Sequence, residues 1–212
     1  MKIEFVSDVA CPWCAVGLHA LERALERIGD DIDVELHFEP FELNPTLGAD
    51  GEDAAEYLAR KYGLTPEQLA ANRRNIAERG AAVGFEFGER SHVWNTFDAH
   101  RLLYWAALEG PTGSQRALKL ALLRAYHGEG RNPGAHEVLL DLAAKVGLDV
   151  ERARTVLASD EFADAVRERE RHWHQLGINA VPSVIVNDRH LIQGGQPPEA
   201  FEQALRQIAA EG

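Results

Sequence analysis

Residues 6–18 read Val-Ser-Asp-Val-Ala-Cys-Pro-Trp-Cys-Ala-Val-Gly-Leu and contain the only two cysteines of the chain. The apolar residues Ile3, Phe5 and Val6 come just before the cysteines and predict a short strand. Beyond them, apolar side chains recur at helical spacing, at Cys14, Leu18, Leu21, Leu25 and Ile28. The stretch therefore predicts a strand that leads through Cys-Pro-Trp-Cys into an amphipathic helix.

The position of Pro12 predicts different roles for the two cysteines. Proline suits the first position of a helix, because its φ is fixed and the N–H that it lacks would have no partner there. Cys11 then caps the helix, and its sulfur lies at the positive end of the helix dipole. In Cys-x-x-Cys motifs this environment lowers a thiol pKa from about 8.5 to roughly 3.5–7.5. We predict that Cys11 attacks first and that Cys14, one turn later on the apolar face, is less exposed and acts second.

Two other interpretations of the cysteine pair are weaker. A structural zinc site needs two further ligands, but there is no third cysteine and none of the nine histidines has the spacing of a finger or ribbon. We therefore expect no metal. The pair is also compatible with two ordinary buried thiols, but that interpretation leaves the coincidence of a strand, an N-cap cysteine and a following proline unexplained.

Composition narrows the function classes. With 212 residues and 45% hydrophobic content, the chain has room for one large domain or two small ones. The net charge of -12 argues against nucleic acid and anionic membrane surfaces as partners, because both attract clustered Lys and Arg. A strand pattern starts at Lys2 without a signal-like segment, and no apolar run reaches membrane length. We therefore expect a cytoplasmic protein.

The rest of the chain separates into strand-rich ends and a helical middle. Val34, Leu36 and Phe38 alternate with polar residues and predict a second strand before Pro40. Between residues 51 and 177 the signals are helix boundaries, at 65–68, 95–98, 132–133, 149 and 160. From residue 183 a hairpin is predicted, with its turn at Asn187 and Asp188, and residues 198–210 predict a last helix.

Several motifs carry a resemblance to a known family. They are Ser7-Asp8 before Cys11-Pro12-Trp13-Cys14, Pro40-Phe41-Glu42-Leu43-Asn44-Pro45, Asn95-Thr96-Phe97-Asp98-Ala99-His100-Arg101, Val181-Pro182 and Gly194-Gly195-Gln196-Pro197. With the order of elements, they make the whole chain resemble the DsbA-like branch of the thioredoxin superfamily, and more narrowly its FrnE-type subfamily. Relatives of that subfamily include 2-hydroxychromene-2-carboxylate isomerase and kappa-class glutathione transferases.

The resemblance implies an α/β protein with a thioredoxin fold, in which a mixed four-stranded sheet with flanking helices is interrupted by an all-helical, DsbA-like insertion. We expect a thioredoxin-like domain at residues 1–45 and 178–212 and a helical insertion domain at residues 46–177. The two ends of the chain need each other, because a two-stranded piece cannot bury its apolar face alone.

The resemblance also implies a set of site residues. Cys11, Cys14 and Pro182 are the expected catalytic residues, with a cis Val181-Pro182 bond that faces the cysteines and leaves the Val181 backbone free to pair with substrate. Trp13 lies off the apolar stripe, so it either contacts substrate or packs beneath the insertion. Asp8 is a candidate proton relay to Cys14. His100 is either accessory to the site or a satisfied core histidine.

We expect a cytosolic thiol-disulfide oxidoreductase. Cys11 forms a mixed disulfide with a protein or small-molecule disulfide, Cys14 resolves it, and a thiol donor such as glutathione or a thioredoxin system restores the pair. No cofactor is expected besides glutathione as a co-substrate, and no oligomeric state is predicted.

Two alternatives stay open. One is a glutathione-dependent isomerase or transferase that acts on a small aromatic or polyketide substrate. The retained Cys14 argues against it, and the relatives with that chemistry typically place Ser where Cys11 stands. The other is a binding module without enzymatic activity, against which an exposed Cys11 of low pKa would argue.

Overall fold

The computed structural model describes residues 1–211. In chain order its elements are β1 (Lys2–Ser7), α1 (Pro12–Ile28), β2 (Glu35–Pro40), β3 (Glu52–Asp53), α2 (Ala54–Tyr62), α3 (Pro66–Ala82), β4 (His92–Val93), α4 (Phe97–Glu109), α5 (Ser114–Leu123), α6 (His136–Lys145), α7 (Val150–Leu157), α8 (Ala163–Gln175), β5 (Ser183–Val186), β6 (His190–Gln193) and α9 (Pro198–Glu211). A π-helical turn, Arg124–Gly128, follows α5. None of the described helices is long and apolar enough to span a membrane.

A mixed four-stranded sheet joins the two ends of the chain. Its strand order is β2-β1-β5-β6, with β1 parallel to β2 and antiparallel to β5. The hairpin β5-β6 turns at Asn187 and Asp188, whose φ values of 52° and 56° belong to the left-handed region that Asn and Asp tolerate. The thioredoxin fold expected from the resemblance is therefore confirmed.

Helix α1 packs against the sheet, and its first turn places the cysteines just beyond the carboxyl end of β1. Its predicted apolar face is buried, with Leu18 and Leu21 inaccessible to solvent. Burial of a leucine contributes roughly 1.5–3 kcal/mol. Gly17 lets α1 approach the loop before β5 closely, since a Cβ at this position would lie 2.9 Å from Pro182 Cγ. The helix ends at Gly29, where φ is 56°.

The insertion carries α2 to α8 and one short strand pair that the sequence did not predict. β3 and β4 pair over two residues each, too few for an alternating pattern to be recognised. The predicted capping box of α3 is present, with Thr65 and Gln68 bonded reciprocally. The boundary predicted at residues 132–133 was wrong. Asn132 accepts a hydrogen bond from Gly134 N and forms a turn, and α6 begins later, at His136.

Two large apolar clusters fill the interior. One surrounds α1, the sheet and α9 and also includes Val83, Phe85 and Leu123 of the insertion. The other lies between α4, α5, α6 and α7 and includes Val9 and Ala10 from the segment before Cys11. The insertion thus packs onto both sides of the cysteine motif. The division into two domains at residues 45 and 178 stays a prediction.

Candidate active site

Cys11 occupies the N-cap of α1, as the sequence predicts. Its backbone is extended, with φ -88° and ψ 114°, and Pro12 is the first helical residue. The Cys11 thiol makes no capping bond to the helix and donates a hydrogen bond to the Val181 carbonyl at 3.5 Å. Only 4% of Cys11 is exposed, so the attacking sulfur expected from the sequence is more enclosed than a surface thiol.

Cys14 lies one turn further and is completely buried. Its backbone N–H donates to the Cys11 carbonyl at 3.1 Å, which closes the first turn of α1. The two cysteines are both free thiols in this structure. The structure therefore presents the dithiol form of the pair.

The pKa values of the two thiols move in opposite directions. Hydrogen bonding with the Cys14 side chain is the largest influence on the pKa of Cys11 and lowers it, against the opposing effects of burial and of the Asp8 charge. Burial, followed by the proximity of Cys11, raises the pKa of Cys14 well above its usual range. Cys11 is thus the better nucleophile at neutral pH, and Cys14 holds a proton.

The loop before β5 faces the cysteines. The Val181-Pro182 peptide bond is cis, as the resemblance implies. Pro182 is buried against α1, whereas Val181 is half-buried. The Val181 carbonyl accepts the bond from Cys11 and keeps a second lone pair, so the pairing of the Val181 backbone with substrate stays a prediction.

Asp8 is buried beside the motif and anchors four donors. Its Oδ1 accepts hydrogen bonds from Ala10 N at 2.9 Å and Thr96 Oγ1 at 2.8 Å and contacts His100 Nε2 at 3.4 Å. Its Oδ2 accepts a hydrogen bond from Leu43 N at 2.7 Å. Burial alone would raise the pKa of Asp8, but these donors outweigh it and lower the pKa below the usual value. Asp8 therefore fits an ionised anchor of the loop better than a proton carrier.

Helix α4 contributes to this anchor in an unexpected way. The sequence predicts that the segment at 95–98 caps the helix, and Asn95 does accept a bond from Phe97 N at 2.9 Å. Thr96, which occupies the N-cap, makes no capping bond because its hydroxyl is directed to Asp8. His100 is buried at the same carboxylate, which matches the interpretation of a satisfied core histidine.

Two buried residues near the motif were missed by the sequence reasoning. Lys119 of α5 is 1% exposed, and burial lowers its pKa despite the nearby charges of Cys14, Asp8 and Cys11. His127 Nε2 donates to the Val9 carbonyl at 2.8 Å, and burial lowers its pKa to about 3, so its ring is neutral. Only the apolar neighbours of Lys119, Leu118 and Leu122, hinted that this face of α5 is buried.

A cavity of about 580 Å³ opens beside Cys11. Its walls come from the cysteine motif, from residues 43–44 and 179–181, and from α2 and α3 of the insertion. Most of the surface is apolar and includes Trp13, Tyr57, Tyr62, Leu69, Ile76 and Val93. Trp13 is half-buried in this wall, next to Gly195, and so lies where a bound molecule would touch it. The arrangement places the Cys11 thiol at the edge of an apolar cavity.

Comparison with known proteins is consistent with this geometry. A family model described as a DSBA-like thioredoxin domain matches residues 2–206. The uncharacterized protein YwbO of Bacillus subtilis (strain 168) is 27% identical over 225 residues, which cover 97% of this chain and 96% of YwbO. The crystal structure of a probable DsbA oxidoreductase from Streptomyces coelicolor is 37% identical, has a TM-score of 0.92 and covers 100% of this chain and 91% of that one.

More distant structures share the fold. The cytosolic disulfide reductase DsbM from Pseudomonas aeruginosa, solved with GSH, has a TM-score of 0.64 at 21% identity and covers 99% of this chain and all of DsbM. A 2-hydroxychromene-2-carboxylate isomerase has a TM-score of 0.72 at 14% identity, over 100% of this chain and 97% of the isomerase. One fold thus occurs in a disulfide reductase and in an isomerase, so the site residues have to distinguish between them.

Proposed function

Because this chain belongs to the family of DsbA-like thioredoxin domains, we propose that it is a thiol-disulfide oxidoreductase that reacts through Cys11 and Cys14. The observation that carries the proposal is the pair of free thiols at the start of α1, with a lowered pKa for Cys11 and a raised one for Cys14. A nucleophile and a protonated second thiol, one helical turn apart, are what a two-step exchange requires.

The proposed reaction begins with the Cys11 thiolate. It attacks one sulfur of a disulfide, the substrate S–S bond breaks, and a thiolate leaves and takes up a proton from solvent. Cys14 then attacks the Cys11 sulfur, and its proton passes to the departing sulfur, which releases the second half of the substrate as a thiol. The substrate gains two electrons, and Cys11 and Cys14 become a disulfide.

A thiol donor completes the cycle. Two equivalents of a thiol such as glutathione, or a thioredoxin system, reduce the Cys11-Cys14 disulfide and are themselves oxidised. GSH in the structure of DsbM supports glutathione as a donor by analogy of fold alone. The cytosolic location stays a prediction.

The roles of the two sulfurs are tested by trapping. We expect Cys14→Ser to accumulate a mixed disulfide through Cys11 when it meets a disulfide substrate, because the attacking sulfur is present and the second one is gone. Cys11→Ser, the matched variant, should accumulate none, because Cys14 is buried and protonated. Mass spectrometry of intact protein measures both. Equal trapping by the two variants would contradict the assigned order of attack.

A second candidate function is supported by the cavity. An apolar site of this size beside Cys11 also suits a glutathione-dependent isomerase or transferase acting on a small organic molecule. In such a mechanism Cys14 forms no bond, so Cys14→Ser would keep most of the activity. We expect the opposite: wild type turns over disulfides with glutathione, Cys14→Ser loses most of that turnover, and neither isomerises a hydroxychromene carboxylate. Glutathione-dependent isomerisation that survives Cys14→Ser would favour the second candidate.

A further inference from the structure

The surroundings of Cys11 restrict the size of its partner. Cys11 is 4% exposed, and the insertion places Tyr57 and Tyr62 of α2 and Leu69 and Ile76 of α3 around the approach to it. The cavity volume of about 580 Å³ lies within the range of roughly 300–1,000 Å³ that small-molecule sites occupy. A disulfide between two protein backbones brings far more bulk to the sulfur than a small disulfide does.

The walls of the cavity also restrict its chemistry. Tyr62, which is 54% exposed, and Trp13 both line the cavity together with Cys11. Aromatic side chains offer large, stiff contact areas to flat apolar groups. An apolar or aromatic arm on the partner would remove these surfaces from water.

The charged residues around the cavity also restrict the kind of molecule that can bind there. Although the chain has a net charge of -12, none of the described residues that line the cavity is Asp or Glu, and two of them are Arg73 and Arg90. Neither arginine forms an ion pair with a carboxylate within residues 1–211; Arg90 donates to the Ala10 carbonyl at 3.3 Å and lies over the Tyr126 ring. Two arginines without carboxylate partners in an apolar cavity are suited to bind an anionic group.

We propose that the substrate of this site is a small disulfide with an apolar or aromatic arm and a carboxylate, held between Trp13, Tyr62 and Arg73, rather than a protein disulfide. The inference rests on the disulfide exchange proposed above and names its substrate class. In the first step Cys11 bonds to the sulfur that carries the arm inside the cavity, and the other half leaves as a thiolate. Cys14 then releases the held half, so the disulfide becomes two thiols and the cysteine pair is oxidised.

The proposal is tested by oxidation of the reduced protein with four disulfides. Dithiobis(nitrobenzoate) is aromatic and anionic, dithiodipyridine is aromatic and neutral, cystamine is small and cationic, and insulin carries protein disulfides. Each rate of Cys11 oxidation is divided by the rate of free glutathione with the same disulfide, which removes intrinsic reactivity. We expect dithiobis(nitrobenzoate) to give the highest normalised rate and insulin the lowest.

Variants of Arg73 isolate the contribution of charge. Arg73 is exposed and makes no side-chain hydrogen bond to the described residues, so Arg73→Gln should fold normally, with an unchanged circular dichroism spectrum. It should lower the ratio of the normalised rates for dithiobis(nitrobenzoate) and dithiodipyridine about tenfold, the effect of losing one charge-assisted hydrogen bond. Arg73→Lys should recover part of the ratio. Arg171→Gln, which removes an exposed charge on α8 outside the cavity, should not change it.

The outcomes separate this inference from the proposed function. Equal normalised rates for insulin and the small disulfides, or equal ratios in Arg73→Gln and Arg171→Gln, would overturn the substrate class while leaving disulfide exchange in place. If none of the four disulfides oxidised Cys11 and Cys14 in folded wild type, the proposed function itself would be wrong.

Discussion

At the residue scale, the two sulfurs differ because of what each one touches. The N-cap position alone would stabilise a Cys11 thiolate through the helix dipole. The structure adds a local contribution, since hydrogen bonding with the Cys14 side chain lowers the pKa of Cys11. Cys14 therefore contributes to the first step of the reaction, before it forms a bond itself, because its thiol group helps to lower the pKa of Cys11.

The hydrogen bond from Cys14 predicts that different substitutions of Cys14 raise the Cys11 pKa by different amounts. Cys14→Ala should raise the Cys11 pKa, since no donor is left, whereas Cys14→Ser should raise it less, because a hydroxyl can replace the thiol as donor. The rate of alkylation by iodoacetamide against pH, followed by mass spectrometry, measures the pKa in each protein. In wild type, Cys11 should be alkylated before Cys14. An identical Cys11 pKa in wild type and Cys14→Ala would assign the effect to the helix dipole instead.

Some of these residues could be assigned roles from the sequence because they lie close together in the chain. Cys11, Pro12 and Cys14 are neighbours in the chain, so their roles follow from helix-cap rules. Asp8 was a candidate from the sequence, but its partners Thr96 and His100 come from a distant segment, and the direction of the Thr96 hydroxyl toward Asp8 depends on where α4 packs. A buried lysine carries no local signal, because an isolated Lys in a helix is ordinarily solvated.

At the scale of elements, the junction between β2 and α8 contains two buried carboxylates and one arginine. Arg167 is paired with both Glu42 and Glu170 and stacks 3.8 Å from the Phe97 ring centroid. Glu42 Oε1 and Glu170 Oε1 are buried without a hydrogen-bond partner among residues 1–211. Two charges of one sign share a single counter-ion here, so one carboxyl group is best accommodated with a proton.

This junction makes a contribution to stability that decreases as pH rises. Burial is the main cause that raises the pKa of Glu42 from 4.5 to about 7, assisted by Glu170 and opposed by His100 and Arg167. Below pH 6.5 the lowered pKa of His127 makes the free energy of unfolding rise with pH. Between pH 4.5 and 7 Glu42 acts in the opposite direction, because it binds more protons in the folded than in the unfolded protein, so its own contribution to the free energy of unfolding falls. The loss should be about 1–3 kcal/mol.

Urea unfolding at a series of pH values measures this dependence. Glu42→Gln carries a neutral side chain of the same shape, so between pH 4.5 and 7 its free energy of unfolding should rise with pH relative to that of wild type. Glu168→Gln, an exposed change on the same helix, is the control and should leave the slope intact. A pH dependence in Glu42→Gln that equals that of wild type would place the titrating group elsewhere.

The sequence predicted helix starts best where a side chain next to the helix forms the cap. Thr65 and Asp149 cap helices as expected, because a cap is formed by residues within one turn. The strand pair β3-β4 was missed, since pairing over two residues depends on the approach of distant segments. The start of α6 was predicted too early because Asn132-Pro133 is equally typical of a turn.

At the scale of the whole molecule, the cavity beside Cys11 forms where the insertion packs next to the cysteine motif. Helices α2 and α3 contribute Tyr57, Leu58, Tyr62, Leu69 and Ile76 to its apolar wall, and the other apolar residues come from the cysteine motif, β4 and loops. The sequence predicted α3 from its capping box, but it predicted neither α2 nor the position of the two helices over Cys11. Packing of amphipathic helices is decided by side chains that are far apart in the chain, so no local pattern encodes it.

The shared core predicts that the insertion and the sheet unfold together. Leu123 of α5 is fully buried in the same apolar cluster as α1 and the sheet, and ion pairs of Arg116 with Glu22 and of Arg169 with Glu39 also connect the two parts. Leu123→Ala should lower the free energy of unfolding by about 2–5 kcal/mol, through lost burial and the cavity that it leaves. Leu108→Ala, at a position that is 61% exposed, should change it by less than about 0.5 kcal/mol.

Two probes on different parts of the molecule decide whether unfolding is shared. Far-ultraviolet circular dichroism follows mainly the helices of the insertion, and pulse alkylation of the buried Cys14 follows α1 beside the sheet. In a urea titration we expect coincident midpoints for wild type and an equal shift of both probes in Leu123→Ala, because a cooperative core transmits the loss to both parts. A variant that shifts the dichroism midpoint but leaves Cys14 protected to the wild-type concentration would show that residues 46–177 unfold as a separate domain. The cavity beside Cys11 would then lie at a junction that opens before the active-site helix does.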